Sequence, residues 1–178
     1  NAIYIDPIVT VPAGEGSGGT VVKVYSGTNT APCSNDMNLS GTQFTATQYA
    51  NINSSNDVRD TLTIGSASCG TVVYNFSIVI YSTMNWINFT VESNEGTFNC
   101  VNDSIGAWNH TKQQWDVVRN ALGSTSSDQT FTVNLTAINN YLNGTSGSKS
   151  IWRQNCDGDG TSSRIITDFA QIQYEYVN

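Results

Sequence analysis

The sequence predicts an all-β fold, an antiparallel β-sandwich with one or two short helices. Short segments of alternating apolar and polar residues recur along the chain, separated by Gly, Asn and Ser turns, which is typical of sandwiches. The 178 residues include 8 Tyr, 6 Phe and 4 Trp, so one domain has enough apolar material for a core. Only 12% of the residues are charged, and low charge with many aromatics argues against intrinsic disorder.

Strands are predicted where apolar residues occupy alternate positions. The alternation is clearest near the C-terminus, where Ala170, Ile172, Tyr174 and Tyr176 would share one face. The predicted strands are Thr20–Tyr25, Gln43–Thr47, Thr61–Ile64, Thr71–Tyr81, Trp86–Glu92, Gln129–Leu135, Ile151–Gln154 and Phe169–Val177.

Two segments have a helical pattern instead. In His110–Leu122 the apolar residues Trp115, Val118 and Leu122 follow helical spacing, and a glycine comes directly after them as a stop signal. A shorter helical turn is predicted over Ala137–Leu142, because an Asn-Gly pair follows it.

An apolar-faced segment precedes the domain. Its alternate positions hold Ile3, Ile5, Pro7, Val9 and Val11. Proline cannot donate to a sheet ladder, which favours an edge position. The chain is therefore divided into an N-terminal strand over 1–12, a flexible Gly-rich hinge over 13–19 and a sandwich over 20–178. Two hypotheses stay open: the strand folds back into its own sandwich, or it completes a neighbour's sheet by strand addition.

Glycosylation is predicted from eight Asn-x-Ser/Thr sequons, none with proline in the middle. Their asparagines are Asn38, Asn53, Asn75, Asn88, Asn102, Asn109, Asn134 and Asn143. Because strand side chains alternate, Asn75, Asn88 and Asn134 would point outward, opposite apolar neighbours. The alternative is that these asparagines belong to an ordinary solvated face.

The cysteines indicate an oxidising compartment. Cys33, Cys69, Cys100 and Cys156 are widely spaced and contain no CxxC pair, so disulfides are favoured over zinc or redox motifs. Three pairings are possible, and sequence proximity favours Cys33–Cys69 with Cys100–Cys156. The chain begins with Asn rather than Met, which leads us to expect a removed secretion signal and an extracellular location.

Composition argues against two classes of partner. The formal net charge is −7 with only 7 Lys and Arg, so a phosphate-binding surface and nucleic-acid binding are not expected. No apolar run reaches the length of a membrane span. We predict no cofactor.

The sequence predicts no catalytic group and no metal site. His110 is the only histidine and lies inside the Asn109 sequon, which argues against a Ser/His/Asp or Cys/His centre. Acidic pairs lie close together in sequence rather than across a cleft, as glycoside hydrolysis would need; they are Asp57/Asp60, Glu92/Glu95 and Asp157/Asp159. The stretch Asp157–Thr161 resembles the start of a calcium loop but lacks the later acidic ligand, so a hairpin turn is favoured.

Two further residue types allow alternative interpretations. Lys23 lies in an apolar run and is either an isopeptide donor or, more commonly, a lysine guarding an edge strand. Tryptophans can stack on sugars, but in a sandwich they usually belong to the core; the four are Trp86, Trp108, Trp115 and Trp152.

The organisation of the whole chain resembles the thread-filament subunits of thermoacidophilic archaea, which are pilins joined head to tail by donor-strand complementation. The likeness rests on the apolar N-terminal strand, the Gly hinge, the Thr/Asn/Ser-rich sandwich, the cysteines and the sequons, rather than on one sharp motif. It implies an incomplete Ig-like, pilin-like sandwich whose groove accepts the next subunit's N-terminal donor strand. The donor residues would be Ile3, Ile5, Pro7, Val9 and Val11.

The resemblance also implies a function. The protein would be a non-enzymatic structural subunit of an extracellular cell-surface filament, a homopolymer bearing N-linked glycans and serving adhesion or biofilm formation. One alternative is a monomeric secreted or cell-surface β-sandwich that binds carbohydrate or acts as an adhesin. A third hypothesis is a domain of a viral or receptor ectodomain, which would share the sequons and disulfides.

Overall fold

The computed structural model of the chain describes residues 8–12, 19–26, 42–64, 69–78, 83–94, 100–120, 122, 127–143, 148–158 and 163–177. In some strands, β1 and β2 above all, mainly the backbone is described. The strands are β1 Ile8–Pro12, β2 Gly19–Ser26, β3 Thr42–Gln43, β4 Asp60–Ile64, β5 Cys69–Ile78, β6 Thr83–Asn94, β7 Cys100–Asn109, β8 Gln114–Asn120, β9 Gln129–Leu135, β10 Ser148–Gly158 and β11 Ser163–Val177; helix α1 is Ala46–Ile52, and a 3₁₀ turn covers Ile138–Asn140.

The described strands form two antiparallel sheets, which confirms the predicted β-sandwich. One sheet has five strands in the order β1-β11-β6-β9, with β4 pairing with β11. The other has six strands in the order β3-β2-β5-β10-β7-β8. Within the described part of the chain, no helix is long and apolar enough to span a membrane.

The core lies between the sheets and is rich in aromatic residues. Tyr74 and Phe76 on β5 face Phe89 on β6, and all three are almost fully buried. The Phe89 ring stacks on Trp152 of β10 with a centroid distance of 4.8 Å. Alternation along each strand therefore places apolar side chains inside and leaves two outward faces, one on each sheet.

The N-terminal strand pairs within its own chain. Its register on β11 runs from Ile8 opposite Glu175 to Pro12 opposite Gln171, so β1 extends the five-stranded sheet at its edge. This is the arrangement in which the strand folds back into its own sandwich. Val9 and Val11 lie in β1, whereas the other predicted donor residues, Ile3, Ile5 and Pro7, lie outside the described residues. The hinge predicted over 13–19 also lies outside them except for Gly19, which is the first residue of β2. Donation of this strand to a neighbouring subunit stays a prediction.

The helix predicted over His110–Leu122 is wrong, because this segment is a turn followed by strand β8. Residues three positions apart on an extended strand point to opposite faces of the sheet. Trp115 consequently points outward while Val118 packs against the core. Their separation of three residues mimics helical spacing although the backbone is extended.

The strand predicted over Gln43–Thr47 is correct only at its start. Strand β3 ends at Gln43, and α1 begins three residues later. The Thr45 side chain and Gln48 form a reciprocal capping box at its N-terminus, a sequence signal for a helix start. The sequence pattern predicts no strand where β7 lies, whereas the helical turn predicted over Ala137–Leu142 is present as the 3₁₀ turn.

Two predictions about particular turns and edges are also wrong. Strands β10 and β11 belong to different sheets, so Asp157–Thr161 does not connect a hairpin. The Lys23 backbone pairs with Thr42 on one side and Val72 on the other, so Lys23 does not lie at a sheet edge.

One predicted disulfide is present within the described residues. Cys100 on β7 is bonded to Cys156 on the adjacent strand β10, a separation of 56 residues along the chain. Closing a loop of this length in the unfolded chain stabilises the fold by about 4 kcal/mol in the chain-entropy account. Cys69 is also disulfide-bonded, and Cys33, its predicted partner, lies outside the described residues.

Candidate functional site

The outward surface of the five-stranded sheet is polar, and we call it the amide face. It is formed by side chains of β6, β9 and β11 that alternate with buried core residues. Its members are Trp86, Asn88, Thr90, Thr132, Asn134, Gln171, Gln173 and Glu175. All of them are half-buried or exposed.

The centre of the amide face is a row of amide side chains that crosses the sheet. The strand register aligns Thr10, Gln173, Asn88 and Asn134 side by side. Gln173 Nε2 donates to Thr10 Oγ1 at 3.2 Å, and Asn134 Nδ2 donates to Asn88 Oδ1 at 2.6 Å. Among the described residues, Asn88 Nδ2 and Asn134 Oδ1 make no hydrogen bond, so the row retains a donor and an acceptor for a ligand.

A second polar row lies two residues further along the strands. It aligns Gln171 with Thr90 and Thr132, and the two threonine hydroxyl oxygens are 3.2 Å apart. Positions two residues apart on a strand are separated by about 7 Å, and neighbouring strands by about 4.8 Å. The two rows therefore present a regular grid of amides and hydroxyls.

Aromatic and acidic residues bound the grid at both ends. Half-buried Trp86 lies opposite Glu175 at one end, and half-buried Phe169 lies opposite Glu92 at the other. The Glu175 carboxylate accepts a hydrogen bond from Asn85 Nδ2 at 2.8 Å. None of the eight residues of the amide face is a lysine or arginine, and half-buried Arg164 lies further along β11, beyond Phe169. The grid itself therefore offers no cation for binding phosphate or sulfate.

The outward surface of the six-stranded sheet has the opposite character, and we call it the tryptophan face. It is formed by Val73, Trp108, Trp115 and Ile151, each 4% exposed or less, together with Arg153. These apolar residues form a cluster separate from the main core. The Trp108 and Trp115 rings meet edge to face with their centroids 5.3 Å apart.

Arg153 is held within the tryptophan face. Its guanidinium carbon lies 4.8 Å from the centroid of the Trp115 ring, a cation–π contact. Burial lowers the pKa of Arg153 to about 10, so the side chain remains charged at neutral pH. Gly106 leaves room for it, since a Cβ atom there would lie 3.2 Å from the Arg153 Nε atom.

A polar network closes the hairpin beside the tryptophan face. Buried Asn109 donates through Nδ2 to Asp116 Oδ2 at 2.7 Å, and its Oδ1 accepts from the backbone amides of Thr111 and Lys112. Tyr141 also donates to Asp116, at 3.0 Å. Burial by itself raises the pKa of Asp116, but hydrogen bonds, that of Asn109 first, outweigh it and lower the pKa below its ordinary value.

The predicted glycosylation sites lie in different environments. As the alternation predicted, Asn75, Asn88 and Asn134 lie opposite core residues on outward faces. Asn53 and Asn143 are exposed, whereas Asn109 is 1% exposed and its amide nitrogen is already bonded to Asp116. Asn38 lies outside the described residues, as does the Asn102 side chain. Glycosylation at these sites stays a prediction.

Sequence reasoning identified only part of the amide face. The outward asparagines of β6 and β9 were found, but the neighbouring glutamines of β11 were not recognised as members of the same surface. The alternation of Gln171, Gln173 and Glu175 with apolar residues was a usable signal. What the sequence lacked was the strand order and register that bring β11 beside β6.

Comparison with known proteins gives structural neighbours but no family. No protein-family model matches the chain, and no curated protein matches it. A xylan-binding module, CBM15, is similar over 97% of this chain and 99% of its own, at 12% identity and a TM-score of 0.48. The CBM22-1 xylan-binding domain of Paenibacillus barcinonensis Xyn10C is similar over 99% and 100%, at 11% identity and 0.45.

A third neighbour is chitosan-binding module 1 of a chitosanase/glucanase from Paenibacillus sp. IK-5, similar over 71% of this chain and 82% of its own at 11% identity and a TM-score of 0.40. A cyclase from Fischerella sp. TAU is also similar, with a TM-score of 0.42. Likeness at this level decides neither family nor ligand, and the sandwich itself stands on the strand pairing of this chain.

Proposed function

We propose that the protein is a non-catalytic, extracellular carbohydrate-binding β-sandwich that binds a neutral sugar chain on its amide face. The observation that carries the proposal is the row of Gln173, Asn88 and Asn134 across three adjacent strands, with Trp86 beside it. A rigid sheet holds these side chains at fixed spacing, which favours recognition of a ligand with regularly spaced polar groups.

The chemistry of the amide face suits sugar hydroxyls. Each hydroxyl of a sugar both donates and accepts hydrogen bonds, and each amide offers a donor and an acceptor, as does each threonine hydroxyl. The half-buried Trp86 ring supplies an apolar surface with a polar N–H at its edge, which suits a ligand that is wet on one side. Because the face lacks cations, it favours neutral over anionic polysaccharides.

The tryptophan face is a poorer candidate although it holds two of the four tryptophans. Trp108 and Trp115 are each 4% exposed, so neither ring offers a free surface for stacking. Their contacts with each other and with Arg153 already use the ring faces and edges. This arrangement supports a role in stability rather than in binding.

The disulfide between Cys100 and Cys156 supports the extracellular part of the proposal, because disulfides persist in oxidising compartments. It also links two adjacent inner strands, β7 and β10, of the sheet that carries the tryptophan face.

The proposal competes directly with glycosylation of the same face. A glycan on Asn88 or Asn134 would be attached at the amide nitrogen that a bound sugar would use. Intact-mass and glycopeptide measurements on protein from its natural source show whether these two asparagines are modified. A glycan at either one would cover the amide row and overturn the proposal.

The binding experiment uses isothermal titration of the unglycosylated chain with a panel of neutral oligosaccharides, with polygalacturonate and chitosan oligosaccharides as charged comparisons. We expect a neutral oligosaccharide to bind and polygalacturonate to show no binding. The Asn88→Ala variant should weaken the affinity by about tenfold, since one or two hydrogen bonds of about 1 kcal/mol are lost.

The matched control is Asn139→Ala, which removes an exposed asparagine that is not a member of the amide face and should leave the affinity unchanged. Equal affinities for the Asn88 and Asn139 variants, or no binding of any neutral oligosaccharide, would contradict the proposal.

A second candidate is the filament subunit, and one observation favours it. Among the described strands, β1 pairs only with β11, at an edge that an identical strand from another copy fits with the same register. Cysteines placed at Thr10 and Gln173, which lie opposite each other, distinguish the two arrangements. A monomer with an intrachain disulfide supports the described pairing, whereas a ladder of disulfide-linked multimers on a non-reducing gel supports strand donation.

A further inference from the structure

Three carboxylates from distant parts of the sequence meet at one end of the five-stranded sheet. They belong to Asp57, Asp128 and Asp168, and one oxygen of each lies within 4.8 Å of the others. We call this group the acidic cluster. None of the acidic pairs considered from sequence spacing predicts it, because its members are separated by up to 111 residues.

Local backbone features position each member of the acidic cluster. Asp168 lies where the pairing of β11 with β6 shifts register between Thr167 and Phe169, and such a bulge redirects a side chain. Asp57 follows α1 and has a positive φ of 61°, and Asp128 directly precedes β9. The cluster is therefore built by two connecting segments and one strand irregularity.

The Asp168 carboxylate is buried and only partly hydrogen-bonded. The residue is 0% exposed. Its Oδ2 accepts a hydrogen bond from the Asp57 backbone amide at 3.3 Å. Its Oδ1 is buried and has no hydrogen-bond partner among the described residues. A buried carboxylate oxygen without a donor is costly unless a cation balances it.

Protein groups balance only part of the charge in the acidic cluster. The Arg59 guanidinium lies 2.6 Å from Asp128 Oδ2 and 3.5 Å from Asp57 Oδ1, and Asn94 Nδ2 donates to Asp128 Oδ1. Three carboxylates and one guanidinium leave a formal charge of −2. Arg59 forms ion pairs with Asp57 and Asp128 but not with Asp168.

We propose that the acidic cluster binds a divalent cation and that Ca²⁺ is the ion it suits best. The donors are all carboxylate oxygens, which hard cations prefer. Oxygens bound to one Ca²⁺ at about 2.4 Å lie at most about 4.8 Å apart, and the three carboxylate oxygens of the acidic cluster all lie within 4.8 Å of one another. The larger and more variable coordination shell of Ca²⁺ tolerates ligands from loops better than the strict octahedron of Mg²⁺ does.

The test measures thermal unfolding and isothermal titration of the whole chain with CaCl₂, with MgCl₂ and with EDTA. At a calcium concentration about 100 times Kd, we expect the unfolding midpoint to rise by about 5–10 °C relative to EDTA. The nearly isosteric Asp168→Asn variant should lose most of this rise and bind Ca²⁺ at least about tenfold more weakly. Asp116→Asn, which removes a carboxylate on the other sheet, should keep the full calcium-dependent rise.

The Arg59→Gln variant provides a second test, because it should strengthen calcium binding whereas Asp168→Asn should weaken it. Removing the guanidinium frees oxygens of Asp57 and Asp128, so calcium should bind more tightly than it does to the unmodified chain. If Arg59 alone balances the cluster, Arg59→Gln will be less stable in EDTA and in CaCl₂ alike. That result, or the absence of a calcium-dependent rise in the unmodified chain, would overturn the proposal.

Discussion

The amide face and the tryptophan face are the two outward surfaces of one sandwich, yet they differ in nearly every physical property. The amide face presents half-buried and exposed amides, hydroxyls and one tryptophan. The tryptophan face buries its two tryptophans, Val73 and Ile151 almost completely. Both follow from the same period-two alternation, so alternation alone does not distinguish a binding surface from a second apolar cluster.

The difference shows what a residue type does and does not indicate about function. Tryptophans often stack on sugars, but Trp108 and Trp115 are buried against each other, and Trp115 also contacts Arg153. The more available surface consists of common residues such as Asn, Gln and Thr. In this molecule, accessible hydrogen-bonding groups at fixed spacing therefore indicate a binding surface better than the presence of tryptophans does.

The largest expected effect comes from truncating a tryptophan on the tryptophan face. Trp115→Ala removes a buried ring that contacts both Trp108 and Arg153, and such truncations typically cost about 3–5 kcal/mol. We expect this loss in the free energy of unfolding measured with urea, with sugar affinity unchanged wherever the variant is folded.

Trp86→Ala is the matched variant on the amide face. Because Trp86 is only half-buried, its removal should cost less than half as much stability while weakening sugar binding clearly. The comparison between the faces fails if Trp115→Ala lowers the affinity and Trp86→Ala does not.

A smaller effect is expected from Asp116, which belongs to the hairpin beside the tryptophan face. Burial by itself raises the pKa of Asp116. The hydrogen bonds from Asn109, Gln114 and Tyr141 lower it by more than burial raises it, so the folded-state pKa is below the ordinary value. A depressed pKa contributes stability that is present above the ordinary value of 3.8 and is lost as the pH falls through the folded-state pKa.

The Asp116→Asn variant should therefore be less stable than the unmodified chain at neutral pH, and the difference should shrink as the pH is lowered to about 3. Urea unfolding at a series of pH values checks this. A difference that is constant with pH would show that Asp116 acts through packing and not through its charge.

The smallest expected effect on stability comes from the hydroxyl row of the amide face. Thr90→Val removes one partner of the exposed pair of Thr90 and Thr132, and exposed cross-strand pairs are worth about 0.2–1 kcal/mol. The substitution also abolishes the Asn88 sequon while keeping the Asn88 side chain. If the sugar affinity of the unglycosylated Thr90→Val variant falls only slightly, the result supports binding by the amide row. If the variant produced in its natural source binds sugar much more tightly than the unmodified chain does, a glycan on Asn88 had covered the amide row.

The sequence predicts the sandwich and the outward asparagines because both depend on local alternation. Ile87, Phe89 and Val91 lie in the core, and Asn88 lies opposite them. Local alternation also explains the error at β8. There Trp115 faces outward and Val118 faces inward. Apolar residues on opposite faces of the strand are therefore three positions apart, which resembles helical spacing although the backbone is extended.

The two candidate sites depend on long-range pairing that the sequence does not reveal. The amide row requires β11 beside β6 with Gln173 opposite Asn88. The acidic cluster requires a register shift at Asp168 and two connecting segments that end near it. Strand order and register arise from packing of the whole sandwich, so the members of each site could be identified singly but not as groups.

The most direct test of the account follows the side-chain amide NMR signals of the unglycosylated chain during titration with a neutral oligosaccharide. We expect the signals of Gln173, Asn88 and Asn134 to shift together, while the indole N–H signals of Trp108 and Trp115 stay fixed. Shifts confined to the tryptophan face, with the amide signals of the row unmoved, would contradict it.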